Sequence, residues 1–169
     1  PERGLLFVMV GPGGAGKNAL MNRVMARQPQ LSQLATATTR PIRANEQEGR
    51  EHLFVTQERF QEMIANGELL EHQEVTAGRW YGIPRASVDN KLDNGQHLIA
   101  DIDIYGAKVL RETYSDDALL IFVTVPGSTN DERLATLRER MEQRREDHNT
   151  SQSDNHMTQR LDRAQTVEL

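Results

Sequence analysis

The stretch GPGGAGKNAL (residues 11–20) follows the unbroken apolar run LLFVMV (5–10). It leads into Leu20, Met21, Val24 and Met25, which are spaced for one face of a helix. Gly11, Gly16 and Lys17 fit the pattern G-x-x-x-x-G-K, and strand, loop and helix in that order are the context in which this pattern holds phosphate. Glycines let the backbone turn with positive φ and bring N–H groups close to phosphate oxygens. The helix that follows offers unpaired N–H groups and the positive end of its dipole. Lys17 adds a point charge for the outer phosphates, and each charge-assisted hydrogen bond contributes about 1.5–3 kcal/mol. A glycine-rich turn with a surface lysine would share these letters but not this context.

Position 18 departs from the pattern, which calls for Ser or Thr and here has Asn18. The hydroxyl at that place ordinarily ligates Mg²⁺, which demands oxygen ligands at ~2.0–2.1 Å but keeps several waters. Asn18 brings a neutral carbonyl oxygen on a longer side chain, so weakened or water-mediated metal contact is expected rather than loss of transfer.

The chain has 169 residues, enough for one domain with a real core, and a net charge of −5. That charge gives no long-range attraction to nucleic acid or anionic lipid, so any anion must be captured by local arrangement. No apolar run approaches the ~20 residues of a membrane span, and the first ten residues lack the marks of a secretory signal. There are no cysteines, which excludes disulfides, thiolate metal sites and a Cys nucleophile and fits a reducing, cytoplasmic setting. A monomer or small homo-oligomer is expected, with no nucleic-acid or membrane partner.

HLIADID (97–103) and ALLIFVTV (118–125) resemble LLFVMV, and each suits a strand buried on both faces of a parallel sheet. Phe60, Met63 and Ile64 mark a helix behind a Thr56 cap and before a Gly67 stop. Strands alternating with helices predict an α/β fold with right-handed crossovers. Residues 32–86, with short alternating segments, two prolines and several turns, predict an inserted β-rich lobe. Residues 128–158 are dense in charge, with a thin apolar stripe of Leu134, Leu137 and Met141, and alone read as a solvated helix face.

TATTRPIR (36–43) places Arg40 and Arg43 three apart around Pro41, which pushes Arg40 into extended geometry. In a polyproline-like stretch such residues project from the same side, so two guanidinium forks can converge on one phosphate, with the Tyr81 hydroxyl of RWYGIPR as a third donor. Two arginines near a proline are usually surface residues; a second phosphate site beside a triphosphate loop suggests transfer between the two.

The chain resembles the guanylate kinases over essentially its whole length, from GPGGAGKNAL through TATTRPIR, REHLFVTQERFQEMI, ELLEHQEV, WYGIPRASV and IADIDIYGAK to RERMEQR and QRL. The resemblance implies a P-loop NTPase-type parallel sheet flanked by helices, with an inserted monophosphate-binding lobe and a helical lid. The implied division is a core of 1–31, 87–127 and 159–169, a GMP-binding lobe of 32–86 and a lid of 128–158. It also implies ATP and GMP as substrates and Mg²⁺ with the ATP. Gly11, Pro12, Gly13, Gly14, Ala15, Gly16, Lys17, Asn18 and Ala19 would hold the ATP phosphates. Arg40, Arg43 and Tyr81 would bind the GMP phosphate, Thr36 and Glu71 would read the guanine, and Asp101 and Asp103 match an acidic pair serving metal and guanine respectively. Arg140 and Arg144 match lid arginines, and Arg160 one that closes behind the lid; with Lys17 these form the implied catalytic set. His52 stands where the family commonly has a phosphate-binding Tyr and would favour phosphate more when protonated. Ile83 stands where a Ser or Thr often touches guanine.

Glu71 makes chemical sense unaided, because guanine presents two donors on one edge and one carboxylate accepts both. A site built for such paired contacts rejects the wrong partner by ~10⁴–10⁵-fold. A solvent-facing Glu and strand-end capping aspartates are the plainer readings of Glu71, Asp101 and Asp103. Two other functions share the motifs: a non-catalytic guanylate-kinase-like module that binds protein, and a kinase of the same fold for another small phosphate ester.

Overall fold

In the computed structural model, residues 2–148, 158, 159, 161, 162, 164 and 165 are described. Strand β1 (Leu6–Val10) is the centre of the first sheet, between β7 (His97–Asp101) and β8 (Ala118–Phe122), with β2 (Leu31–Gln33) outside β7. All pairings in this sheet are parallel. Strand periodicity sorts its side chains. Leu6, Val8 and Val10 pack on one face with Val88 and Leu92 of α3 (Arg85–Asp93) and Ala107 and Leu110 of α4 (Ile104–Thr113). Met9 points to the other face and meets Met21 of α1 (Lys17–Arg27) and Ile99. The sheet is therefore flanked by helices on both sides, as the apolar run of β1 requires.

The expectation for ALLIFVTV is corrected. Only Ala118 of β8 is buried; Leu119, Leu120, Ile121 and Phe122 are 40–55% exposed. The strand lies at the edge of the sheet, and among the described residues no strand pairs its outer side. An apolar run marks a strand but does not distinguish centre from edge.

A second sheet has the order β4-β3-β6-β5, built from β3 (Thr36–Thr38), β4 (His52–Phe54), β5 (Leu69–Thr76) and β6 (Arg79–Pro84). β5 and β6 run antiparallel, while β3 and β4 run parallel. One face of this sheet carries Ala37 and Trp80 against Phe60 and Met63 of α2 (Gln57–Ala65). That helix begins as expected, with the Thr56 hydroxyl accepting from the Arg59 amide at 3.1 Å, and is followed by Gly67 at φ 67°.

α5 (Asn130–His148) carries the charged segment. Its apolar stripe is not left to solvent: Leu137 and Met141 are buried against Ala15 and Val125, with Leu161 and Ala164 in the same cluster. The helix thus rests on the glycine-rich loop. No helix among the described residues is long and apolar enough to cross a membrane.

Candidate active site

The loop between β1 and α1 takes its shape from backbone that only glycine adopts freely. Gly11, Gly14 and Gly16 have φ of 139°, 91° and 98°. A Cβ on Gly11 would lie 2.0 Å from the Val123 carbonyl oxygen, and one on Gly14 would lie 3.3 Å from Met141 Cε. The loop is therefore held between β8's continuation and α5. Gly16 is the α1 N-cap and supplies no side-chain cap, so the first N–H groups of α1 remain for another acceptor. Lys17 Nζ donates to the carbonyls of Gly11 at 2.6 Å and Pro12 at 3.2 Å and lies 3.7 Å from Asp101 Oδ1. Burial pushes the Asp101 carboxyl up, and the Lys17 ammonium opposes that shift. Arg140 Nη1 of α5 reaches the Ala15 carbonyl at 3.4 Å. Gly13, Asn18 and Ala19 complete the loop and the first turn, where Asn18 and Ala19 are exposed.

The second sheet presents its other face as a site. Cross-strand partners share a face, and so do residues two apart. Thr36 pairs with His52, Thr38 with Tyr81, Tyr81 with Gln73, and Ile83 with Glu71. Thr36, His52, Tyr81, Gln73, Glu71 and Ile83 consequently lie on the face opposite α2. The Thr36 hydroxyl and His52 Nδ1 are hydrogen-bonded at 2.7 Å, and the His52 ring meets Tyr81 edge-on at 5.9 Å. Burial and then the Arg40 charge hold the His52 pKa below its usual value. The ring stands beside Thr36 and Tyr81, where the resemblance places a phosphate contact.

Arg40 is 7% exposed, and each of its three guanidinium nitrogens is hydrogen-bonded. Its Nε donates to the Tyr81 hydroxyl at 3.0 Å, its Nη1 to the Pro41 carbonyl at 3.0 Å, and its two terminal nitrogens to Glu46 at 2.7 and 2.5 Å. The guanidinium also sits over the Phe54 ring, 5.5 Å from its centroid. Hydrogen bonds from Arg40 hold the Glu46 carboxyl down at about 2. Arg43 is exposed at the rim of the same turn, so the two arginines differ: one is a buried fork, the other a solvent-facing charge.

Glu71 and Asp103 meet at the start of α4. Asp103 caps that helix, its Oδ1 accepting from the amides of Tyr105 at 3.0 Å and Gly106 at 2.9 Å, so this carboxylate caps a helix start rather than a strand end. Its Oδ2 accepts from the Gln73 side-chain amide. Gly106 admits Glu71: a Cβ there would sit 3.5 Å from Glu71 Oε2, 3.2 Å from Ile83 Cδ1 and 2.6 Å from Ile102 Cγ2. Burial, helped by the nearby Asp103 charge, pushes Glu71 up to about 7. Ile83 itself is 2% exposed and packs in the first core, so it shapes the floor rather than offering a polar contact.

Sequence reasoning missed Glu46 and Gln73. Glu46 lies six residues beyond Arg40 and three beyond Arg43, a signal of opposite charge at turn spacing. Gln73, two residues from Glu71 on one strand, was legible only from the face it shares. Arg144 belongs to α5, but its side chain lies outside the described residues, as does Arg160.

A divalent cation can be tested against the donor set. Asp101 and Asn18 offer oxygen only, and among the described residues no three His, Cys, Asp or Glu side chains gather as a metal cage. That sparse oxygen set fits Mg²⁺, which is held by one or two carboxylates together with substrate phosphates and water.

A family model described as guanylate kinase matches residues 3–166. The guanylate kinase of Bradyrhizobium diazoefficiens is 42% identical over 127 residues, 75% of this chain and 58% of the relative. That of Trichodesmium erythraeum is 38% identical over 168 residues, 99% of this chain and 83% of the relative. Against the Bradyrhizobium and Nostoc relatives the matched region spans about three fifths of the relative's length, 58% and 63%. The crystal structure of guanylate kinase from Anaplasma phagocytophilum superposes with a TM-score of 0.61 at 30% identity, covering 82% of this chain and 66% of that one. With the family model matched across nearly the whole sequence, this chain belongs to the guanylate kinase family.

Proposed function

We propose that this protein transfers the γ-phosphoryl group of ATP to the phosphate of GMP or dGMP, giving ADP and GDP or dGDP respectively. The observation that carries the reading is the second sheet's site face, where the Arg40–Tyr81 pair and Glu71 lie together. One is an anion cradle and the other a carboxylate suited to the paired donors of guanine. The glycine loop supports the donor half, with its cap-free helix start and Lys17 beside Asp101.

In this reading Gly11 to Ala19 seat the ATP phosphates, and Lys17 leaves its loop carbonyls to meet the β- and γ-phosphate oxygens. Arg40, Arg43 and Tyr81 orient the GMP phosphate, with His52 and Thr36 as neighbours. Glu71 accepts from the guanine ring N–H and amino group, and Asp103 fixes that region by capping α4. An oxygen of the GMP phosphate is already a nucleophile, so no general base is needed. It bonds to the γ-phosphorus as the bond to the β–γ bridging oxygen breaks, and the electron pair leaves with ADP. Asp101 and Asn18 would hold Mg²⁺, which when bound neutralises charge on the β- and γ-phosphates. Arg140, with Arg144 and Arg160, would neutralise charge on the transferred group and exclude water as α5 closes. The division into core, GMP lobe and lid follows the boundaries stated above.

A coupled assay of ADP release tests this, using ATP–Mg²⁺ with GMP, dGMP, AMP, UMP or a sugar phosphate. Turnover with GMP and dGMP is expected. Turnover confined to another acceptor would assign a different phosphate ester, and silence with all would favour a protein-binding module.

A further inference from the structure

The guanidinium of Arg40 has five N–H groups, and four are committed. Glu46 takes the end-on pair from Nη1 and Nη2, the Pro41 carbonyl takes the second Nη1 hydrogen, and the Tyr81 hydroxyl takes Nε–H. Among the described residues the fifth, on Nη2, has no partner. In the planar fork that hydrogen lies beside Nε–H and so points to the same side as Tyr81. The Tyr81 hydroxyl accepts from Arg40 and therefore keeps its own proton to give.

Glu46 is itself pinned. Its Oε2 also accepts from the Arg43 amide at 2.9 Å, while the Glu46 amide donates to the Arg43 carbonyl at 3.0 Å. The two residues close the turn reciprocally, and Glu46 ties both arginines of the cradle to one carboxylate. A guanidinium as buried as Arg40 is stable only when paired and hydrogen-bonded, and once paired end-on it cannot swing.

We propose that Glu46 is the positioning residue of the acceptor-phosphate cradle: its carboxylate clamps the end of the Arg40 fork, leaving one Nη2–H and the Tyr81 hydroxyl proton aimed together at the phosphate. This rests on the proposed function for its ligand, but the clamp itself does not. A carboxylate ionised far below neutral pH keeps the clamp closed throughout the working range. The opposing reading, that Glu46 competes with the phosphate for Arg40, makes the opposite prediction for its removal.

The test uses the full chain as wild type, Glu46→Gln and Glu46→Asp. Three quantities are read: GMP affinity by calorimetry, guanosine affinity, and the solvent exchange of the Arg40 Nε–H by ¹⁵N NMR, assigned with Arg40→Lys. In Glu46→Gln the amide donor faces an Arg40 donor, so the clamp opens. GMP affinity is expected to fall about 10- to 100-fold, guanosine affinity to stay within about twofold, and the Nε–H to exchange faster. Glu46→Asp keeps the charge on a shorter stem and is expected to fall between; it carries the test should Glu46→Gln not fold. Tighter GMP binding in Glu46→Gln, equal losses for GMP and guanosine, or unchanged Arg40 exchange would each overturn the clamp. A wild-type protein that binds no GMP would refute the functional reading instead, and the Arg40 exchange would still decide the clamp.

Discussion

Replacing Glu71 with glutamine separates the guanine contact proposed for this half-buried carboxylate from what the carboxylate costs the fold. Glu71 is half-buried, and burial with the Asp103 charge raises its pKa from an ordinary 4.5 to about 7. Only the ionised form accepts both donors of the guanine edge. With a pKa of about 7, the ionised fraction is about one in eleven at pH 6 and about ten in eleven at pH 8, so GMP affinity is expected to rise about tenfold between them. The GMP phosphate also titrates, near pH 6, and its contribution persists in Glu71→Gln. Calorimetric titration of both proteins with GMP from pH 6 to pH 8 therefore isolates Glu71 by difference. Glu71→Gln is expected to bind weakly throughout and to lose the Glu71 share of the slope. Stability runs the other way. The folded chain holds a proton that the unfolded chain releases, so the cost of Glu71 grows as pH rises from 4.5 and is complete above about 7. Thermal melts should show Glu71→Gln gaining on the wild type as pH rises through that window. A GMP slope identical in the two proteins would refute the assignment of guanine recognition to this carboxylate.

Three further substitutions probe the supports of the site. Gly106→Ala places a methyl 2.6 Å from Ile102 and 3.5 Å from Glu71 Oε2, and is expected to cost about 1–3 kcal/mol in denaturant unfolding while weakening GMP binding. Asn18→Ser restores a short hydroxyl beside Lys17 and is expected to lower the Mg²⁺ concentration for half-maximal turnover; unchanged metal dependence and turnover would remove residue 18 from the metal. Thr56→Ala removes the cap on the Arg59 amide and should cost about 1 kcal/mol with GMP affinity intact, as α2 packs on the face away from the site.

The parts of this molecule legible in the sequence are those written in local pattern. Gly11, Gly16 and Lys17 announce a loop because their spacing is a backbone requirement, and Thr56, Phe60, Met63 and Gly67 announce a helix because cap, stripe and stop are contiguous. The unbroken apolar run of β1 likewise announces a strand covered on both faces, as the contacts of Val8 and Met9 show. What escaped is set by placement. Phe122 and Val8 are equally apolar, yet one is at the sheet edge and the other at its centre, a difference of strand order rather than composition. Leu137 and Met141 read as a thin stripe until the loop beneath them is known. Glu46 was passed over because its importance lies in a turn that brings it back onto Arg40, and the lowered His52 pKa follows from burial and from the Arg40 charge that the fold places beside it.

A single ligand can interrogate both halves of the site at once: adenosine and guanosine joined 5′ to 5′ through a chain of phosphates. If the glycine loop and the Arg40 cradle serve one transfer, the second half binds intramolecularly, and the joined ligand should bind at least about 100-fold more tightly than GMP. That gain should vanish in both Lys17→Met and Glu71→Gln. A joined ligand that binds no better than ATP alone, or that is indifferent to Glu71→Gln, would contradict phosphoryl transfer between the two cradles.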